Sequence, residues 1–163
     1  MTARALLRGL FVTAALGASA APVGAQTSPP ESPQVKKTVA LVDKAAALVK
    51  ERGKAAFAEF RKPGSEWFSG ETYLFAYDLK ANVLLNPAFP KREGTNVAGQ
   101  KDVNGKPCHD EIIRTVETKD AGWVVCTLLP KPGRTQPAPK WIYAKRVDID
   151  GVPGLIASGF YTE

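Results

Sequence analysis

TYLFAYDLKANVLLNP, residues 72–87, decides the fold. Tyr73, Phe75 and Tyr77 fall on one face of an extended chain, and Leu74 and Ala76 on the other. Apolar residues on both faces predict a strand over Thr72–Asp78 that is covered on both sides. Lys80-Ala81-Asn82 reads as a turn, and Val83-Leu84-Leu85 as the returning strand. Asn86-Pro87 stops it, because proline has no N–H for the ladder.

Upstream the apolar period changes from two to three and four. Val35, Val39, Val42, Ala46 and Val49 recur at helical steps, with Lys36, Lys37, Asp43, Lys44, Lys50 and Glu51 on the other faces. Ser32-Pro33 opens this helix, since serine caps the first turn and proline fits inside it. Gly53 interrupts it. A short second helix, Lys54–Arg61, presents Phe57 and Phe60 on one side and stops at Pro63-Gly64.

Downstream, residues 89–105 are rich in glycine, asparagine and charge and read as an ordered loop closing on Asn104-Gly105. A short helix follows at Asp110–Val116, with Ile112, Ile113 and Val116 inward. Three further strands are predicted at Trp123–Leu129, Trp141–Ile149 and Leu155–Tyr161, the last two joined by the hairpin dipeptide Asp150-Gly151. The expected architecture is α+β: a long N-terminal helix packed on an antiparallel sheet of about five strands. Loops and the short helix, residues 87–120, roof the other face. A sheet roofed partly by loops is a place for a pocket.

The first 25 residues carry Arg4 and Arg8, then an apolar run ending in small residues, with Ala18-Ser19-Ala20 and Val23-Gly24-Ala25 as two A-x-A-like sites. That run is too short for a span of ~20 residues and has the pattern of a secretory signal peptide cleaved after Ala25, against the alternative of an uncleaved membrane anchor. The expectation is an exported, periplasmic or secreted protein. Residues 26–33 form a polar, proline-rich disordered leader, and residues 34–163 form one domain with no membrane span. The formal charge of +6 falls to about +4 without Arg4 and Arg8. A mild basic excess suggests small anionic ligands or an acidic surface as partner, and the cations are scattered rather than striped, which argues against nucleic acid.

The two cysteines, Cys108 and Cys126, favour a disulfide in an oxidising compartment, against the alternative of two small buried residues. The single histidine, His109, adjoins Cys108, and no C-x-x-C or H-x-x-x-H spacing exists, so no metal or other cofactor is expected. No G-x-S-x-G, P-loop or dinucleotide fingerprint is present, and no base is placed to activate a nucleophile. The chain is not expected to be an enzyme.

Eight short motifs in order carry a resemblance: YLFAYDL (73–79), VLLNP (83–87), EGTN (93–96), KDVNGK (101–106), GWVV (122–125), PKPG (130–133), PKWIYAK (139–145) and SGFY (158–161). Together they resemble the single-Cache sensor domains of bacterial exported and membrane receptors, from about Val35 to the C-terminus. The resemblance implies a PAS-like fold that binds a small organic molecule, often a carboxylate. Asn86 stands where the family often has histidine, and Cys126 where it often has an aromatic. Because Glu163 follows the last strand directly, the resemblance is to the free-standing exported form, signalling through a separate membrane receptor or kinase. The alternative is a ligand-free interaction module with the same fold, a filled core and an exposed apolar patch.

The resemblance also gives meaning to the basic, proline-rich segment between two strands, residues 127–139. Its prolines stiffen a loop at a pocket mouth, and Lys140 and Tyr143 on the next strand offer a cation and a hydroxyl to a carboxylate. Strand alternation puts residues 141 and 143 on one face and 140 on the other, so these two meet one ligand only if a bulge or strand end intervenes. Tyr73, Phe75, Tyr77 and Trp123 are either core or an aromatic platform for the ligand. Lys140 is either a solvated edge charge or the ligand cation. His109 is either a surface residue at a helix start or a pocket residue facing inward. Arg114 would suit a carboxylate or pair with Glu111 or Glu117, and Asp102 and Asn104 build a turn.

Overall fold

The structure, a computed structural model, describes residues 27–162. The expected signal peptide lies outside the described residues. Residues 27–32 carry no helix or strand, yet Pro29 is buried. Helix α1 spans Pro33–Arg52, with Ser32 as its N-cap; the Ser32 hydroxyl accepts from the Val35 N–H at 3.2 Å. Removing that acceptor by Ser32→Ala costs about 1 kcal/mol. The melting temperature should fall by about 3–5 °C in calorimetry; an unchanged value would mean the first turn is held by packing alone.

The buried stripe of α1 is Val35, Thr38, Val42, Ala45, Ala46 and Val49. It is turned slightly from the expected one: Val39 is half-buried and Thr38 and Ala45 take the inner positions. The second helix is shorter than expected. A 3₁₀ turn at Gly53–Ala56 leads into α2, Phe57–Phe60, and both phenylalanines are buried as expected. Phe60 packs on Trp67 with ring centres 4.9 Å apart.

A small hairpin, β1 (Phe68–Ser69) with β2 (Thr72–Tyr73), precedes the main sheet. The predicted single strand 72–78 is therefore broken at Leu74, and only β3 (Phe75–Asp78) joins the sheet. β4 (Val83–Leu85) returns from it. Helix α3, Cys108–Lys119, is longer than the predicted one. β5 (Ala121–Cys126), β6 (Lys140–Ile149) and β7 (Val152–Tyr161) complete a five-stranded antiparallel sheet in the order β4-β3-β7-β6-β5. The β6–β7 turn is Asp150-Gly151, both at positive φ, the two-residue hairpin its sequence calls for. Gly159 in β7 has no room for a side chain: a Cβ there would lie 2.1 Å from the Trp141 carbonyl oxygen.

β5 stops at Cys126 rather than Leu129 for a local reason. The Thr127 N–H is taken by the Asp102 carboxylate at 2.9 Å, and the Thr127 carbonyl accepts from Val103 N–H at 3.2 Å. Asp102 also accepts from the Asn104 and Lys106 N–H groups, which makes it the turn builder expected and the cap of β5 as well.

The sheet separates two apolar cores. On one side α1 and α2 meet Leu74, Ala76, Leu85, Val147, Ile149 and Ile156. On the other, α3 and residues of the 86–107 loop meet Tyr73, Phe75, Tyr77, Ile142, Leu155 and Ala157. This is the expected α+β layering, with the roof on the second face. No helix among the described residues is long and apolar enough to cross a membrane.

Candidate functional site

The site lies on the roofed face, and strand alternation builds it. Tyr73, Phe75 and Tyr77 point the same way; neighbouring ring centres are 6.4 and 5.3 Å apart. On β6, Lys140 shares this face with Ile142, and it pairs across the sheet with Cys126 on one side and Tyr161 on the other. From the roof, α3 contributes Cys108, His109 and Ile112, and the loop after β5 contributes Leu128 and Leu129. These residues enclose a cavity of about 30 Å³. One wall is the disulfide between Cys108 and Cys126, whose Cα atoms are 5.9 Å apart. It joins the first residue of α3 to the last of β5.

Lys140 is the unusual group. Its side chain is buried, at 5% exposure, and its Nζ has no hydrogen-bond partner. Nζ lies 3.7 Å from the Tyr73 ring centre, 4.7 Å from Tyr161 and 6.0 Å from Phe75. Ring faces attract the ammonium but do not replace its water. Burial pulls its pKa from 10.5 down to about 7, with Glu71 pulling the other way. Glu71 is already engaged with Lys131 at 3.5 Å.

The tyrosines are ordered by a short relay. The Tyr161 hydroxyl donates to the Pro130 carbonyl at 2.7 Å, so the contact at 3.2 Å is Tyr73 donating to Tyr161. Burial raises the pKa of Tyr73 and Tyr77 above the ordinary phenol value, which keeps both neutral. The proline-rich loop is thus tied down at Pro130 and at Lys131, next to the cavity.

His109 is buried at 3% exposure, not on the surface. Its ring meets Tyr77 edge-on with centres 5.3 Å apart. Its Nε2 lies 3.2 Å from Nη2 of Arg92, and its Nδ1 is buried without a partner. Burial chiefly, and then Arg92, lower its pKa to about 4, against Asp110.

Of the residues singled out in the sequence, the structure brings together Tyr73, Phe75, Tyr77, His109 and Lys140 around the cavity, with both cysteines. It does not bring Trp123 or Tyr143 there. β6 pairs with both neighbours in continuous register, so no bulge turns Tyr143 toward Lys140's face. Trp123 and Tyr143 are instead cross-strand partners on the α1 side, with ring centres 5.1 Å apart. Arg114 is exposed on α3. Sequence reasoning missed Leu128 and Leu129, placed in a strand, and Arg92, which stands just before the EGTN motif and outside it. Asn86, noted only as a departure, also lines the cavity.

Comparison with known proteins agrees with this geometry. A periplasmic sensor domain of a chemotaxis protein superposes with a TM-score of 0.66 at 28% identity, covering 80% of this chain and 95% of its own. A Cache chemosensory domain described for carboxylic acid recognition superposes with a TM-score of 0.67 at 26% identity, covering 78% and 92%. The methyl-accepting chemotaxis protein McpP of Pseudomonas putida is 27% identical over 96 residues, 59% of this chain but 17% of that receptor's length. The single Cache domain 2 family matches residues 33–163, and the chain belongs to that family.

Proposed function

We propose that this chain is an exported sensor domain that binds a small carboxylate at Lys140 and passes the bound state to a separate membrane partner. The observation that carries the reading is the Lys140 ammonium, buried against three rings with no hydrogen-bond partner. A buried cation without a partner costs several kcal/mol, and a ligand carboxylate supplies what is missing. The similar Cache domain described for carboxylic acid recognition supports the same ligand class. Tyr73, Phe75 and Tyr77 then serve as apolar wall, and the disulfide as a fixed edge.

The cavity of about 30 Å³ exceeds the ~10–15 Å³ one water needs and falls far below the ~300 Å³ of an open ligand site. A carboxylate of a few carbons therefore enters by displacing Leu128 and Leu129, which belong to the loop and not to the sheet. The rival reading, an interaction module, calls for an apolar surface patch. The exposed large hydrophobics among the described residues are Val103 and Val152, on separate elements.

Calorimetry of the purified protein with propionate and with its neutral isostere propionamide tests the proposal. Saturable binding of the acid, absent for the amide, is expected, with a matching rise in melting temperature. Equal response to both, or no response to any of acetate, propionate and butyrate, would overturn it.

A further inference from the structure

We infer that His109 is a second ligand contact, fixed by Arg92 as a neutral donor through Nδ1, so that the pocket favours a carboxylate bearing a neutral oxygen acceptor close by. The inference rests on the carboxylate reading above and adds a specificity to it.

A guanidinium can only donate. Arg92 Nη2 at 3.2 Å from His109 Nε2 therefore requires a lone pair on Nε2. The proton of the neutral ring must then sit on Nδ1. Arg92 is itself aimed by the Gln100 side-chain oxygen, 2.6 Å from the same Nη2. Double protonation of the ring is opposed by burial and by the Arg92 charge. The acidic neighbour Asp110 is occupied, accepting from the Gly99 N–H at 3.0 Å.

Nδ1–H is thus a buried donor with no acceptor, on a side chain that is 97% inaccessible by virtue of its 3% exposure and that lines the same cavity as Lys140. Leaving such a group unmet is unfavourable, and an acceptor brought by a ligand relieves it. Two side chains with unmet donors of different kind line one small space. Lys140 matches a carboxylate. His109, being neutral, matches a carbonyl or hydroxyl oxygen. A neutral N–H needs no charged acceptor, so an uncharged carbonyl or hydroxyl oxygen meets it without a second buried charge to desolvate. The narrowness of the cavity requires both acceptors on a short ligand, such as a 2-oxo or 2-hydroxy acid. Arg92 does not line the cavity and acts as a positioning residue.

His109 is the only histidine in the chain, so its two ring nitrogens can be followed by long-range proton–nitrogen NMR without overlap. The wild type at neutral pH should show a protonated Nδ1 and an unprotonated Nε2. Arg92→Met should release that lock and mix the two tautomers. A wild-type ring protonated on Nε2, or on both nitrogens, would overturn the inference whatever the ligand. Calorimetry then compares 2-oxopropanoate with propionate. The wild type should favour the oxo acid about tenfold, the worth of one hydrogen bond, and His109→Phe should bring that ratio to about one. A ratio unchanged by His109→Phe would overturn the inference and leave the carboxylate reading standing. Failure of both acids to bind the wild type would overturn both. If His109→Phe does not fold, the same ratio in Arg92→Met, lowered toward one or left unchanged, decides.

Discussion

Lys140→Met makes the protein more stable and removes its affinity for carboxylates. Methionine keeps the length of the side chain and its contacts with the rings of Tyr73 and Phe75, and adds no charge. Taking the lysine pKa from 10.5 down to about 7 corresponds to roughly 3–5 kcal/mol of disfavoured charge. Met also contacts the rings favourably, so the net gain expected in urea unfolding at pH 6.5 is about 2–4 kcal/mol. Loss of the charged hydrogen bond costs the ligand about 1.5–3 kcal/mol of affinity. A variant that is less stable than wild type and still binds propionate would remove Lys140 from the site.

The pH dependence of this gain has a definite sign. Below pH 7 the lysine is charged in folded and unfolded chains alike, and the fold carries the whole cost. Between about pH 7 and 10.5 the unfolded chain binds a proton that the folded one does not. Wild-type stability therefore rises with pH across that window, at up to about 1.4 kcal/mol per unit. The advantage of Lys140→Met should shrink by the same slope, and comparing the two proteins cancels every other titration. Above pH 7 the same proton weakens carboxylate binding to wild type, because the ligand must recharge the lysine. A gap that stays constant from pH 6.5 to 9 would mean that Lys140 is not the titrating group.

Much of this was legible in the sequence where the controlling interaction is local. Ser32-Pro33 and Asp150-Gly151 each fix their own backbone and stand as expected, and the alternation at 73–77 puts its three rings on one face even though the strand breaks at Leu74. The phase of Lys140 against Tyr143 was legible too, because alternation needs only the strand. Its burial was not: that depends on Tyr161 on β7 and on a loop that leaves the sheet at Thr127. The departure is imposed by Asp102, 25 residues away in sequence, through one hydrogen bond. His109 was ambiguous for the same kind of reason. Its neighbours on the helix say only that it starts a turn, whereas Arg92 and Tyr77 decide where the ring lies.

Replacing both cysteines, Cys108→Ala with Cys126→Ala, should cost about 3 kcal/mol, the worth of closing a loop of this length, since the bridged residues are 18 apart. The melting temperature should fall by about 10 °C. The loss should not be spread evenly. The bridge binds the first residue of α3 to the last of β5, and His109 follows Cys108 directly. Without it, α3 keeps its packing through Ile112, Ile113 and Val116, but its first turn is left to the hydrogen bonds of His109 with Arg92 and of Asp110 with Gly99, with no covalent tie to the sheet. That turn carries the imidazole, and the β5 end carries the loop with Leu128 and Leu129. Hydrogen exchange should therefore quicken most at residues 108–112 and 127–130, and much less in α1, which packs on the opposite face. Propionate affinity should fall as well, because the ligand must order a wall that the bridge otherwise holds in place. Equal quickening in α1 and α3, with affinity unchanged, would make the bridge a general brace of the fold with no part in shaping the pocket.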